Sequence, residues 1–354
     1  MRRRRKSKKP ERVCYYMHNG EQVCRKLKLT KERIQAGKLV PEFNPDDNFI
    51  KVTPEIIEVI KEDKTGTGKY PKVPIAPSMV EAQINLNKAG ELYLKGRMRL
   101  IRNDILSDIY IYNPVCTAYR SYKKHKKVNK LTNGKLSKFI DRCRKMMHSS
   151  NNLKANIYGL LYIATLTGQR IGSRDKTAGA GVYEYINTDQ LNKNGTFKKK
   201  KIFKHLIDTY ALTSLRVGHV KLINGEKVLW EYKGKLGKLQ HHEIIDNDIA
   251  TFYLRFIRNK KPGDRIHAEG IYPQIMKAIK KDTGRYNIKD LRTAYCHKIM
   301  PLFKDKWIKI NGIPKTNKEK RELIKYMCIK ASEKLGNLPG EIRRSYADPS
   351  HLIL

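Results

Sequence analysis

HVKLINGEKVLWEYKGKLGKLQHHEII, residues 219–245, decides the fold. Apolar residues alternate with polar ones on both sides of Asn224-Gly225, a dipeptide suited to the positive backbone angles of a tight hairpin turn. A second turn at Gly234–Gly237 leads into a third alternating run, so a three-stranded antiparallel sheet is expected here. The flanking stretches carry a different period. Ile157–Gly168 (IYGLLYIATLTG), Met276–Lys281, Lys289–Phe303 and the four-apart set Leu323, Met327, Ala331 and Leu335 have helical apolar spacing. Upstream, Val73–Leu100 (VPIAPSMVEAQINLNKAGELYLKGRMRL) and Asp108–Pro114 (DIYIYNP) alternate with period two, with Gly90 and Gly96 read as turns. The expectation is therefore an α+β protein. A basic, disordered arm over residues 1–40 precedes a small β-rich domain over 41–114, and a mainly helical domain carrying the three-stranded sheet fills 115–354.

Charge narrows the partner. Lys and Arg number 75 against 34 Asp and Glu in 354 residues, a formal charge of +41, and a chain this basic repels itself unless a polyanion is its neighbour. A lysine-biased genome would produce the same excess, and Lys198–Lys201 fits that reading as well. Residues 1–12 alone hold eight basic residues and one acid, too polar to fold and suited to gripping phosphates, to nuclear import or simply to solubility. No apolar run has the ~18 residues a membrane span needs, and the N-terminus lacks the apolar core of a secretory signal. An intracellular, soluble protein without a membrane partner is expected. The six cysteines at 14, 24, 116, 143, 296 and 328 show no Cys-x-x-Cys pair. They are read as reduced thiols rather than zinc ligands.

Breaking a phosphodiester without a metal takes a nucleophile, cations to hold the extra charge of the pentavalent phosphate, and an acid for the leaving oxygen. Tyr346, Arg170, Arg292 and Lys235 could supply these, but each has an ordinary alternative. Tyr346 is one of 20 tyrosines and could pack on Ile342, Arg170 could stabilise a helix C-terminus, and Lys235 could be a plain turn cation. A metal-dependent route would need converging carboxylates, and the nearest group, Asp246-Asn247-Asp248, reads better as a helix cap. Gly336 is placed to end one helix in a left-handed cap, and Pro339 to open the next, which carries Tyr346 about two turns in.

Taken together, these residues resemble a known family. TGQRIG around Arg170, TYALTSLRVGHV from Thr209, YKGKLGK around Lys235, IKDLRT around Arg292 and LGNLPGEIRRSYADP around Tyr346 occur in the order found in type IB DNA topoisomerases. VPIAPSMVEAQI, Gly90, Gly96 and YIYNP are similar to the β-rich domain of the poxvirus and bacterial enzymes, so the resemblance covers residues from about 70 to the end. It implies an ATP-independent isomerase with no cofactor and no metal, acting on double-stranded DNA as a monomer that closes like a clamp. Tyr346 is implied as the nucleophile forming a 3′-phosphotyrosyl link, Arg170 and Arg292 as the pair holding the scissile phosphate, and Lys235 as the general acid. Asn337 stands where the poxvirus and nuclear enzymes have His and many bacterial ones Asn. A neutral amide donates a hydrogen bond but shuttles no proton, so its implied role is stabilisation. Lys289 matches a second basic position, and Lys238, Arg343 and Arg344 complete the implied DNA contacts. The lysine bias and a size similar to the poxvirus enzymes suggest a large DNA virus, so a virion or viral factory, or a nucleus, is the expected setting.

The rival is a tyrosine recombinase, which shares the catalytic domain. Recombinases usually carry His three residues before the second arginine, whereas this chain has Lys289, and their usual N-terminal arm is helical rather than β-rich. Two features depart from the topoisomerase pattern: only eight residues follow Tyr346, and a polar stretch between Gly172 and Tyr210, read as a long loop or insertion, exceeds the poxvirus form.

Overall fold

The computed structural model describes residues 12–16, 22–26, 31–63 except 32 and 38, 68–99 except 77, 106–172, 178–191 and 197–352. The fold is α+β, and the chain divides into two compact units, residues 1–126 and 127–354. That division falls twelve residues beyond the expected boundary, within a helix, α2 (Pro114–Thr132).

In the first unit, β1 (Arg12–Tyr16) and β2 (Gln22–Lys26) pair as an antiparallel hairpin that sets Cys14 opposite Cys24. This corrects the disordered arm expected over 1–40. VCYY and QVCRK are β-formers that the surrounding basic residues hide from a composition count, and residues 1–11 lie outside the described residues. β3 (Phe49–Lys51), β4 (Met79–Asn85), β5 (Leu92–Arg99) and β6 (Leu106–Tyr112) form a four-stranded antiparallel sheet in chain order. The helix α1 (Pro54–Glu62) buries Ile56 and Ile60, one turn apart, in the same cluster as Val73, Ile84, Tyr93 and Leu94. Gly90 does sit at a turn, its N–H bonded to Asn87 O at 3.1 Å. Gly96 does not. It lies inside β5, paired with Ile109, where the register shift between Val80 and Gln83 brings the Ala82 backbone so close that a Cβ on residue 96 would stand 3.0 Å from Ala82 Cα.

The second unit surrounds helix α4 (Asn152–Thr167), buried on nearly every side and capped by Gly168 at φ 69°. Packed with it are α3 (Leu136–Met147), α5 (Asn247–Ile257) and α6 (Ile271–Thr283). Asp246 caps α5 by accepting from Ile249 N at 3.0 Å, the role read for it in the sequence. The three-stranded sheet is present in the order β11 (Leu239–Ile245), β10 (Lys227–Lys233), β9 (Val220–Ile223), with Val228, Trp230, Tyr232, Gln240 and His242 alternately buried. A second cluster joins α7 (Ile288–Asn311) to α8 (Asn317–Leu335), whose Leu323, Met327, Ala331 and Leu335 are all buried together.

The stretch after Gly172 is not a loop where it is described. Strands β7 (Ala178–Leu191) and β8 (Phe197–Thr209) pair as a two-stranded antiparallel ribbon, from Ala178 opposite Thr209 to Leu191 opposite Phe197. At ~3.3 Å per residue it extends roughly 40 Å. Its alternation is masked in the sequence because four consecutive lysines, 198–201, fall at both odd and even positions of one strand. Among the described residues no helix is long and apolar enough to cross a membrane.

Candidate active site

Arg170 stands two residues beyond the Gly168 cap of α4. Its backbone is pinned from the segment that follows the ribbon: Leu212 N donates to Arg170 O at 2.9 Å and Thr213 N to Ile171 O at 3.0 Å. Arg292 lies on the second turn of α7, whose start is fixed by a reciprocal cap between Asn287 and Asp290 and by the Lys127–Asp290 ion pair at 2.6 Å. Asn337 follows Gly336, the left-handed cap of α8 at φ 62°, so a single glycine swings the chain from the helix into the site.

These three residues meet. Asn337 Oδ1 accepts from Arg170 Nη2 at 2.8 Å and from Arg292 Nη2 at 3.2 Å, and Arg292 Nη2 also donates to Leu335 O at 2.7 Å. Arg292 is 3% exposed and Asn337 7%. Arg292 Nε and Nη1 and Asn337 Nδ2 are buried with no hydrogen-bond partner, and neither arginine is paired with a carboxylate among the described residues. Burial, reinforced by the Arg170 charge, pushes the Arg292 guanidinium down to about 10, which still leaves it charged at neutral pH. Buried donors and unneutralised charge are costly to maintain, and an anion with several acceptor oxygens would satisfy all three donors at once.

Tyr346 borders this cluster. Arg292 Cζ lies 5.5 Å from the centre of its ring, and the residue is 5% exposed. The Pro339–Glu341 turn opens at Pro339 as expected and then widens over Ile342–Tyr346, where Ala347 N reaches back five residues to Ile342 O at 2.8 Å. Ile342 and Tyr346 are buried in one cluster despite the wider turn. The end of the segment is anchored by Asp348, which accepts from Asn129 Nδ2 at 2.7 Å, while His297 Nδ1 lies 2.8 Å from Asn129 Oδ1. Burial alone would raise the Asp348 carboxyl, but the bonds from Asn129 and Ser350 outweigh it and hold the group low.

The remaining expected residues are not joined to the cluster. Lys235 is exposed in the turn Lys235–Gly237 after β10, with no hydrogen bond or ion pair linking its side chain to Arg170, Arg292 or Tyr346. Lys289, Arg343 and Arg344 are exposed and Lys238 half-buried, and Arg344 pairs with Glu341 at 3.2 Å. Two buried neighbours of the site go unmarked in the sequence reading. Tyr232 Oη donates to Gln169 Oε1 at 3.0 Å beside Arg170, and His242, stacked on Tyr232, is pushed down to about 4 by burial and by the charge of Arg292. Gln169 could have been found from its place in TGQRIG; His242 is one of ten histidines with nothing to distinguish it. No group of three or more His, Cys, Asp or Glu that could hold a metal occurs among the described residues. No protein-family model matches this chain, and no curated protein matches it.

Proposed function

We propose that the protein is a type IB DNA topoisomerase, relaxing duplex DNA by transient cleavage of one strand without ATP. The observation that carries this reading is the convergence of Arg170, Arg292 and Asn337, with three unspent buried donors, beside the Tyr346 ring. In the proposed reaction the Tyr346 hydroxyl attacks the scissile phosphorus, its proton passing to solvent, and a P–O bond to tyrosine forms. The bond from phosphorus to the 5′ oxygen breaks, and that oxygen takes a proton from the Lys235 ammonium. Both guanidinium groups and the Asn337 amide face the charge that accumulates on the non-bridging oxygens. The phosphotyrosine conserves the bond energy while the free 5′ end swivels, and the reverse attack reseals the strand. The net charge of +41 supplies a sequence-neutral grip on the duplex, and the lysine run of β8 belongs to a two-stranded ribbon of a width that a major groove admits.

Incubation with supercoiled plasmid in EDTA and without nucleotide tests the reading. Relaxation of both positive and negative supercoils is expected. A strict requirement for ATP, or exchange of strands between paired sites without relaxation, would replace it.

A further inference from the structure

The exposed Lys235 and the buried phosphate site lie on different elements, and one side chain spans the gap between their backbones. Gln240 on β11 is 8% exposed and pairs across the sheet with Tyr232. Its amide is held between two glycines. A Cβ on Gly234, the residue before Lys235, would stand 2.7 Å from Gln240 Cγ and 3.0 Å from Cδ. A Cβ on Gly336, the residue before Asn337, would overlap Gln240 Oε1 outright. Within the Lys235 turn, Gly234 N donates to Lys238 O at 2.7 Å and Gly237 N to Gly234 O at 3.0 Å, and the turn also lies against strands β7 and β8 of the ribbon. The Gln240 amide nitrogen adds only two long bonds, 3.3 Å to Lys238 O and 3.3 Å to Leu239 O. Its main contribution is therefore its volume.

We infer that Gln240 is a positioning residue, a wedge that seats the turn bearing the general acid Lys235 at a fixed distance from the turn bearing Asn337. This rests on the topoisomerase reading. Two facing glycines and a side chain filling the gap set the spacing of the two turns on the side away from the ribbon. With Gln240 shortened, the Lys235 turn loses its support on the side facing Gly336, while Arg170, Arg292 and Asn337 keep the hydrogen bonds that join them. Proton delivery to the 5′ oxygen should then fail selectively, since misplacement by about 1 Å costs on the order of 100-fold in rate.

The test measures single-turnover cleavage of a duplex carrying the site mapped with wild-type protein, with either oxygen or sulfur bridging phosphorus to the 5′ carbon. A thiolate leaves without a proton, so sulfur bypasses the acid. Gln240→Ala should cleave the oxygen duplex about 10- to 100-fold slower than wild type and the sulfur duplex at close to the wild-type rate. Gln240→Met, which keeps the volume and loses the amide, should recover most of the oxygen rate. Lys235→Ala is the reference, with a larger oxygen defect and the same rescue. If Lys235→Ala is rescued by sulfur but Gln240→Ala is equally slow on both duplexes, or unimpaired on both, the wedge is wrong and the topoisomerase reading stands. If Lys235→Ala is not rescued, its role as acid fails and the wedge fails with it. If wild-type protein forms no covalent complex with either duplex, the proposed function itself is overturned.

Discussion

Two buried asparagines, one in each unit, occupy comparable polar turns and end in opposite states. Asn85, at the end of β4, is fully buried, and every hydrogen-bonding position of its amide is used. Nδ2 donates to Asp47 Oδ1 at 2.7 Å and Leu92 O at 2.8 Å, while Oδ1 accepts from Asn48 N at 3.0 Å and Asn87 N at 2.9 Å. Asn337 accepts from two arginines and leaves Nδ2 with nothing to donate to. A satisfied amide organises a loop and its worth appears in stability. An amide with a spare buried donor, beside a guanidinium with two more, holds hydrogen-bonding capacity in reserve for a ligand.

That contrast can be broken by mutation, and the largest effects should fall in the second unit. Arg292→Ala and Asn337→Ala should each slow DNA cleavage by about 100- to 1,000-fold, as loss of one preorganised donor does, measured by single-turnover cleavage. Arg292→Met should leave the second unit as stable as before or more so, because a buried charge without a carboxylate partner is replaced by an apolar chain of similar length. Asn85→Ala should do the reverse. Stripping four bonds from a buried site should cost the first unit roughly 3 kcal/mol in denaturant unfolding, while Tyr346, Arg292 and Asn337 are untouched.

Smaller effects sharpen the comparison. Inorganic phosphate should raise the melting temperature of wild-type protein by mass action and should do so much less in Arg292→Met, whereas Asn85→Ala should keep the full increment. Acid should weaken the second unit in a defined window. His242 and His267 are held down to about 4 and about 3 by burial, so the unfolded chain takes up protons first as pH falls below about 6.5. The stability they contribute is whole above that value and is lost progressively toward pH 4 for His242 and pH 3 for His267, and His242→Gln should flatten the decline. Replacing residues 182–205 by a short turn should lower the slope of log affinity against log salt by about one unit for each phosphate the protein no longer neutralises, while relaxation of bound plasmid persists. An unchanged slope would remove the ribbon from the DNA surface.

Much of this architecture is legible in the sequence where side-chain period and turn chemistry agree. The sheet around Asn224-Gly225, the α8 face from Leu323 to Leu335, the Gly336 cap and the Asp246 cap all follow from local rules that tertiary packing does not override. What is illegible has physical causes. The β7–β8 ribbon hides behind a lysine run that obscures its period, and β1 and β2 lie in a segment whose composition suggests disorder. Gly96 reads as a turn, but a bulge on the neighbouring strand is what requires it. The widened turn at Ile342–Tyr346 depends on how that segment packs, which no single-residue preference records. Of the site, Arg170, Arg292, Asn337 and Tyr346 are marked by their motifs and are neighbours in the fold. Gln240 and His242 are not marked, because a lone amide or imidazole acquires meaning only from what is folded against it.

The central claim is that the unspent donors at Arg292 and Asn337 receive a phosphate that Tyr346 attacks. The most direct measurement traps the protein on a labelled duplex in EDTA, digests it, and sequences the peptide bearing the nucleotide. A single labelled peptide is expected, with the DNA linked through its 3′ phosphate to Tyr346 and released together with a free 5′-hydroxyl end, and no adduct in Tyr346→Phe. A link to another residue, attachment through a 5′ phosphate, or an adduct that survives in Tyr346→Phe would contradict it.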